Sequence, residues 1–91
     1  ISTMDFIKGY KTIDYGSLKS HLIKAYEASG KSYIDLAKAA EVTSTQTIKF
    51  IFDSQEQKVS DKVLTSVSNT LGINAFIIWM NGEKYYYMKS K

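Results

Sequence analysis

The feature that most limits what this chain can fold into is its punctuation. Between residues 17 and 82 it breaks into short runs of apolar residues at helical spacing, each opened by Ser or Asn and three of them closed by Gly. Proline is absent, so every break must come from Gly, Asn, Asp or Ser. Ser17 is placed to cap a first helix with Leu18, Leu22, Ile23, Ala25 and Tyr26 along one stripe and Gly30 as its stop. Ser32 caps a second, with Asp35 three residues on in a variant of the capping box, and Ile34, Leu36, Ala37 and Ala40 as its buried side. Ser44 caps a third with Ile48, Ile51 and Phe52 inward, and Ser60 a fourth carrying Val63, Leu64, Val67 and Leu71 up to Gly72. Val59 and Leu64 occupy the positions of a hydrophobic staple. Asn74 then caps a last short helix, Ala75 to Met80, closed by Gly82. Five helices joined by loops this short predict a mainly α fold, a small five-helix bundle.

The two ends read differently. Phe6 to Ile13 and the run Lys84 to Met88, with three consecutive tyrosines, favour strands and are expected to pair with each other or with a second chain. The expected organisation is a single domain over residues 1–91: an N-terminal arm or strand (1–16), a helical bundle (17–82) and a C-terminal strand or tail (83–91).

The composition is that of an ordinary globular domain, 44 % hydrophobic and 23 % charged. The absence of cysteine removes disulfides, thiolate metal sites and cysteine nucleophiles, and fits a reducing compartment. No apolar run is long enough to cross a bilayer and no secretory pattern opens the chain, so the expected location is cytoplasmic, without a membrane partner. The lone His21 has no second His or Cys with which to build a metal set, and no nucleophile elbow, phosphate loop or glycine fingerprint is present. The expectation is a protein that is not an enzyme and carries no cofactor and no metal.

The functional signal lies in the link between the second and third helices, Ala40-Glu41-Val42-Thr43, tight enough to cross two helices and project the second outward. At 100° per residue, with Ile48 inward, Gln46, Lys49, Phe50 and Asp53 fall on the opposite half of the third helix, and Thr45 and Thr47 flank that face at its N-terminal end. Gln can bond adenine through two hydrogen bonds, Thr offers a hydroxyl and a methyl, and Lys reaches guanine or phosphate. A net charge of +3 agrees with a nucleic-acid partner without singling it out, and its twelve basic residues are all lysine. Base reading without arginine must therefore use Gln, Thr, Ser and Lys. Phe50 is the exception on this face, suited to a thymine methyl but more to packing against a partner or the terminal strands.

Ser32 to Ala40 with its Leu36-Ala37 pair, Ser44-Thr45-Gln46-Thr47-Ile48, Leu71-Gly72-Ile73 and the closing Trp79-Met80-Asn81-Gly82 together resemble the Xre, or Cro and lambda-repressor, type of helix-turn-helix DNA-binding domain. The resemblance covers residues 17–82. It implies a lambda-repressor-like bundle and base contacts from Thr45, Gln46, Thr47, Lys49 and Phe50. It also implies phosphate contacts from Ser32, Tyr33, Ser44, Ser54, Gln55, Gln57 and Lys58. Three departures stand out. Glu41 occupies the turn position usually held by glycine, so it must avoid a positive φ or tolerate strain. One residue is inserted between the Leu-Ala pair and Ile48. Tyr26 and Phe52 stand where the family often pairs an Arg with a Glu, so their rings are expected to touch.

The function these features imply is sequence-specific binding of double-stranded DNA by a transcriptional regulator, a repressor or Cro-like protein associated with the nucleoid. It would act as a homodimer on a two-fold operator. The rival is a helix-turn-helix module used for protein contact, such as an antitoxin-like or accessory subunit.

Overall fold

The computed structural model describes residues 9–89. Its order is β1 (Tyr10–Ile13), α1 (Tyr15–Ser29), α2 (Tyr33–Ala39), α3 (Thr45–Asp53), α4 (Asp61–Thr70), β2 (Ala75–Met80) and β3 (Glu83–Lys89). The four helices pack on a three-stranded antiparallel sheet of order β1-β3-β2. The architecture is mixed α and β.

This corrects the expected five-helix, lambda-repressor-like bundle. Ala75 to Met80 is not a fifth helix but a strand, so the bundle expected over residues 17–82 ends with α4. The reason sits in the two residues after it. Asn81 and Gly82 have φ of 53° and 78°, the left-handed pair that a two-residue hairpin turn requires and that Asn-Gly adopts at least cost. Met80 faces Glu83 across this turn, and the register runs back to Ala75 opposite Met88. Asn74 caps nothing; its carbonyl accepts from the Lys89 N–H at 3.0 Å. At the other end, β1 pairs with β3 from Tyr10 opposite Lys89 to Ile13 opposite Tyr86. The segment read as an N-terminal strand begins at Phe6; residues 6–8 lie outside the described residues.

The helix boundaries follow their caps. α1 begins earlier than Ser17, because Asp14 takes the N-cap and its Oδ1 accepts from the Ser17 N–H at 2.7 Å. That hydrogen bond also holds the Asp14 carboxyl below its ordinary value. Gly30, at φ 73°, ends the helix in the left-handed C-cap that glycine supplies without strain. α2 has seven residues, too few to persist alone; it is held by burial of Leu36, Ala37 and Ala40, while Ile34, expected on that side, is exposed. The core runs through Leu18 and Leu22 of α1, Leu36 of α2, Ile48 and Ile51 of α3, and Leu64 and Val67 of α4. Ala75, Ile77, Tyr86 and Met88 belong to the sheet face that closes it. On the opposite face Phe76 stacks on Tyr87 (5.4 Å between centroids) and meets Tyr10 edge-on (4.8 Å).

Candidate nucleic-acid interface

Helices α2 and α3 and the turn between them form a unit whose every bend has a local cause. Ser32 Oγ accepts from the Asp35 N–H (3.2 Å) and Asp35 Oδ2 accepts from the Ser32 N–H (3.0 Å), a reciprocal capping box. Those bonds lower the Asp35 carboxyl, with smaller help from Lys31 and Lys38. After Ala40 the chain reverses: the Glu41 N–H bonds Lys38 O at 3.1 Å and the Val42 N–H bonds Ala37 O at 3.0 Å. Glu41 sits at φ 60°. It therefore takes the strained alternative, a left-handed geometry that glycine adopts freely, here with a β-carbon in place. Ser44 then opens α3, its Oγ accepting from the Gln46 N–H at 3.1 Å.

Ile48 and Ile51 are fully buried and fix which way α3 faces. Thr45, Gln46, Lys49, Phe50 and Asp53 are exposed, and Thr47 is half-buried at the edge of that face. Phe50 keeps 43 % of its surface in solvent. The solvent face thus agrees with the one expected at 100° per residue.

The far end of α3 is clamped by α1. Tyr15, buried, donates its hydroxyl to the Ile51 carbonyl at 2.8 Å. Four residues along the same helix, Lys19 Nζ donates to the Ser54 carbonyl at 3.0 Å. Both groups meet carbonyls at the C-terminal end of α3, where intrahelical donors run out and a positive charge is favoured. Burial, with Tyr86 close by, pushes the Tyr15 hydroxyl up to about 12. Beside the clamp, Tyr26, Tyr33 and Phe52 form a trio of rings. Tyr26 lies 5.3 Å from Phe52, and Tyr33 stacks on Phe52 at 5.7 Å and 8°. The expected contact between Tyr26 and Phe52 is present. Tyr33 is shared between them, half-buried, with its hydroxyl raised by burial and by the neighbouring Tyr26 and Asp53.

The loop before α4 divides the remaining positions. Gln55 and Lys58 are exposed, Lys58 lying only 4.0 Å from Glu56 in an open pair of little energetic weight. Ser54 is half-buried as the C-cap of α3. Gln57 is occupied differently from the DNA contact expected of it. Its Nε2 donates to Val59 O and to Asp61 Oδ1, both at 2.7 Å. Its Oε1 accepts from Tyr86 OH at 2.7 Å and Lys84 Nζ at 3.1 Å. Both amide hydrogens and both oxygen lone pairs are used inside the chain. Asp61 completes the network, accepting from Lys84 Nζ at 2.8 Å and Trp79 Nε1 at 2.9 Å. Burial works to raise the Asp61 carboxyl, but hydrogen bonds from Lys84, Gln57 and Trp79 together with the Lys84 charge prevail and hold it at about 2. Lys84 also lies 4.9 Å over the Trp79 ring.

Four residues that shape this surface, Tyr15, Lys19, Asp61 and Lys84, carry no strong local signal in the sequence. A separate open groove of about 740 Å³ lies between α1, the α4–β2 loop and the end of β3, lined by His21, Lys24, Ala25, Ile73 and Met88. Among the described residues no three His, Asp or Glu side chains converge as a metal site, and no helix is long and apolar enough to cross a membrane. Comparison with protein-family models, with curated proteins and with solved structures matched none of them to this chain.

Proposed function

We propose that this chain binds double-stranded DNA sequence-specifically as a transcriptional regulator, with α3 entering the major groove in the manner of the Xre-type domains its sequence resembles. The observation that carries the reading is the contrast between the two sides of α3. Its inner side is locked by Ile48, Ile51 and the α1 clamp, while Thr45, Gln46 and Lys49 are held in solvent at its N-terminal half. A rigid helix presenting short hydrogen-bonding side chains and one cation is what base-edge reading needs. In this reading Ser32, Ser44, Gln55 and Lys58 approach phosphates on either side, in a protein of the cytoplasm that works on the nucleoid as a pair and performs no chemistry. Gln57 leaves the set of contacts because its amide is saturated.

The rival reading, a module for protein contact, is favoured by two apolar side chains on the same unit: Ile34 on α2 and Phe50 on α3, 57 % and 43 % exposed. Selection from a random duplex library decides between the two. DNA binding predicts enrichment of a discrete motif and affinity that falls steeply with salt. Lys58→Ala should then weaken binding to all sequences and lower the salt slope by about one unit. Failure to enrich any motif, with salt-independent or no retention, refutes the proposal.

A further inference from the structure

We infer that β2 is the docking edge for a second copy of this chain, paired antiparallel about a two-fold axis through Ile77. The inference stands on the sheet alone and does not depend on the DNA reading. Strand β3 is central, so β2 is an outer strand, and among the described residues nothing pairs with its free side. Outer strands are normally guarded by charge, Pro or a bulge. Ala75-Phe76-Ile77-Ile78-Trp79-Met80 contains no charged residue and no Pro, and its register with β3 runs without a break.

The pairing phase can be read from the hairpin. A two-residue turn is closed by a pair that exchanges both backbone hydrogen bonds, and such pairs alternate along the ladder. Met80 with Glu83 is therefore bonded, then Ile78 with Tyr85 and Phe76 with Tyr87. The Lys89 N–H to Asn74 O bond at 3.0 Å continues the same phase. The N–H and C=O groups of Ala75, Ile77 and Trp79 consequently point to the free edge.

A two-fold axis perpendicular to the sheet keeps the helix-facing side of one copy beside that of the other, so residues of like parity must oppose. Engaging the free groups of all three residues at once leaves one register, with Ile77 opposite Ile77 of the second copy and Ala75 opposite Trp79. The sizes complement: the smallest side chain on this edge meets the largest, and Trp79 is 59 % exposed in the single chain. On the other face Phe76 meets Ile78, an aromatic and a β-branched residue across a non-bonded pair. No like charges are opposed anywhere along the six residues. The product is a continuous six-stranded sheet with an isologous interface.

The chain has no cysteine, so single cysteines report the register directly. Bonded partners sit about 5.5 Å apart at Cα, inside the roughly 4.4–6.8 Å a disulfide spans. Under mild oxidation without DNA, Ile77→Cys should cross-link with itself. Ile78→Cys alone should not, and a mixture of Phe76→Cys with Ile78→Cys should. By sedimentation the unmodified chain should be a dimer. Ile78→Lys, whose side chain lies on the face away from the helices, should be a monomer with an unchanged circular dichroism spectrum. A monomeric unmodified chain at the cross-linking concentration overturns the inference. So does a dimer that survives Ile78→Lys, or cross-linking that fails to peak at Ile77.

Discussion

Replacing Tyr15 with Phe removes a single oxygen and tests whether α1 sets the position of α3. In the folded chain that oxygen donates to the Ile51 carbonyl at 2.8 Å, with Tyr15 itself only 6 % exposed. The ring would keep its contact with Tyr86, 5.7 Å away, and no cavity would open, so the transfer and cavity costs of a core truncation do not enter. What remains is a buried carbonyl without a donor: α3 ends at Asp53, and the next backbone N–H, that of Ser54, is taken by Phe50 O. An orphaned buried acceptor costs about 1–3 kcal/mol, and Ile51, fully buried, lies in the upper part of that range. In a domain of this size each kcal/mol lowers Tm by about 4–8 °C. The same hydroxyl adds a pH signature. Its folded-state pKa is raised from 10.0 to about 12, so the folded protein holds a proton that the unfolded chain releases. Stability is fully present below pH 10 and is lost as pH rises towards 12, by on the order of 2–3 kcal/mol. Tyr15→Phe should flatten that alkaline loss. Thermal melts of both proteins from pH 7 to 12 measure it. A Tm within about 2 °C of the parent at pH 7, below what half a kcal/mol would produce, together with an unchanged alkaline limb, would refute the clamp.

Gln46→Ala and Lys49→Ala should each weaken binding to a selected duplex by about 1–3 kcal/mol while leaving Tm nearly unchanged, since both side chains lie in solvent; unchanged affinity in both would remove α3 from the reading role. Asp61 should make the protein acid-sensitive. Its carboxyl is depressed from 3.8 to about 2, so its contribution is complete above pH 3.8 and is lost as pH falls towards 2. That loss should be about 1 kcal/mol once solvent around a side chain 37 % exposed is allowed for, and Asp61→Asn should abolish it in acid urea titrations. Glu41→Gly should stabilise by a few tenths to about 1 kcal/mol. Relief of the left-handed strain outweighs the added freedom of the unfolded glycine, and the exposed Lys62–Glu41 pair at 3.8 Å carries little to lose. Urea midpoints measure this, and a destabilised variant would contradict it.

The helices were legible because their signals are local. Ser32 with Asp35, Ser44, Ser60 and Gly30 are chemical statements about four or five consecutive residues, and each does in the structure what its spacing says. The exposed face of α3 was legible for the same reason, since helical geometry alone separates Gln46 and Lys49 from Ile48. Ala75 to Met80 failed on a different ground. Six apolar residues in a row have no period, so they fit a buried helix turn or a strand equally. The decisive residues were the two that follow. Asn81-Gly82 can close a helix, but flanked by β-favouring residues on both sides it is a hairpin tip. The resemblance carried by Trp79-Met80-Asn81-Gly82 points to a helix end instead, against that signal. Tyr15, Lys19 and Gln57 were out of reach, since their partners lie 36, 35 and up to 29 residues away.

Those distant contacts change what the sheet is for. Lys84 and Tyr86, neighbours on one face of β3, both reach Gln57 in the loop between α3 and α4, and Lys84 also holds Asp61 at the start of α4. The Tyr86 ring packs on Tyr15, whose hydroxyl ends on the last turn of α3. A continuous chain of contacts therefore runs from the middle strand to the foot of the exposed helix, through side chains that are half-buried or buried and saturated with partners. Among the described residues β3 is also the only strand bonded to both others, so removing residues 84–91 would leave β1 and β2 without a ladder and Gln57 without its donors. The C-terminal segment is thus part of the support that orients α3. A strand that bonds both of its neighbours and reaches the α3–α4 loop through Lys84 and Tyr86 thus ties the sheet to the position of the exposed helix.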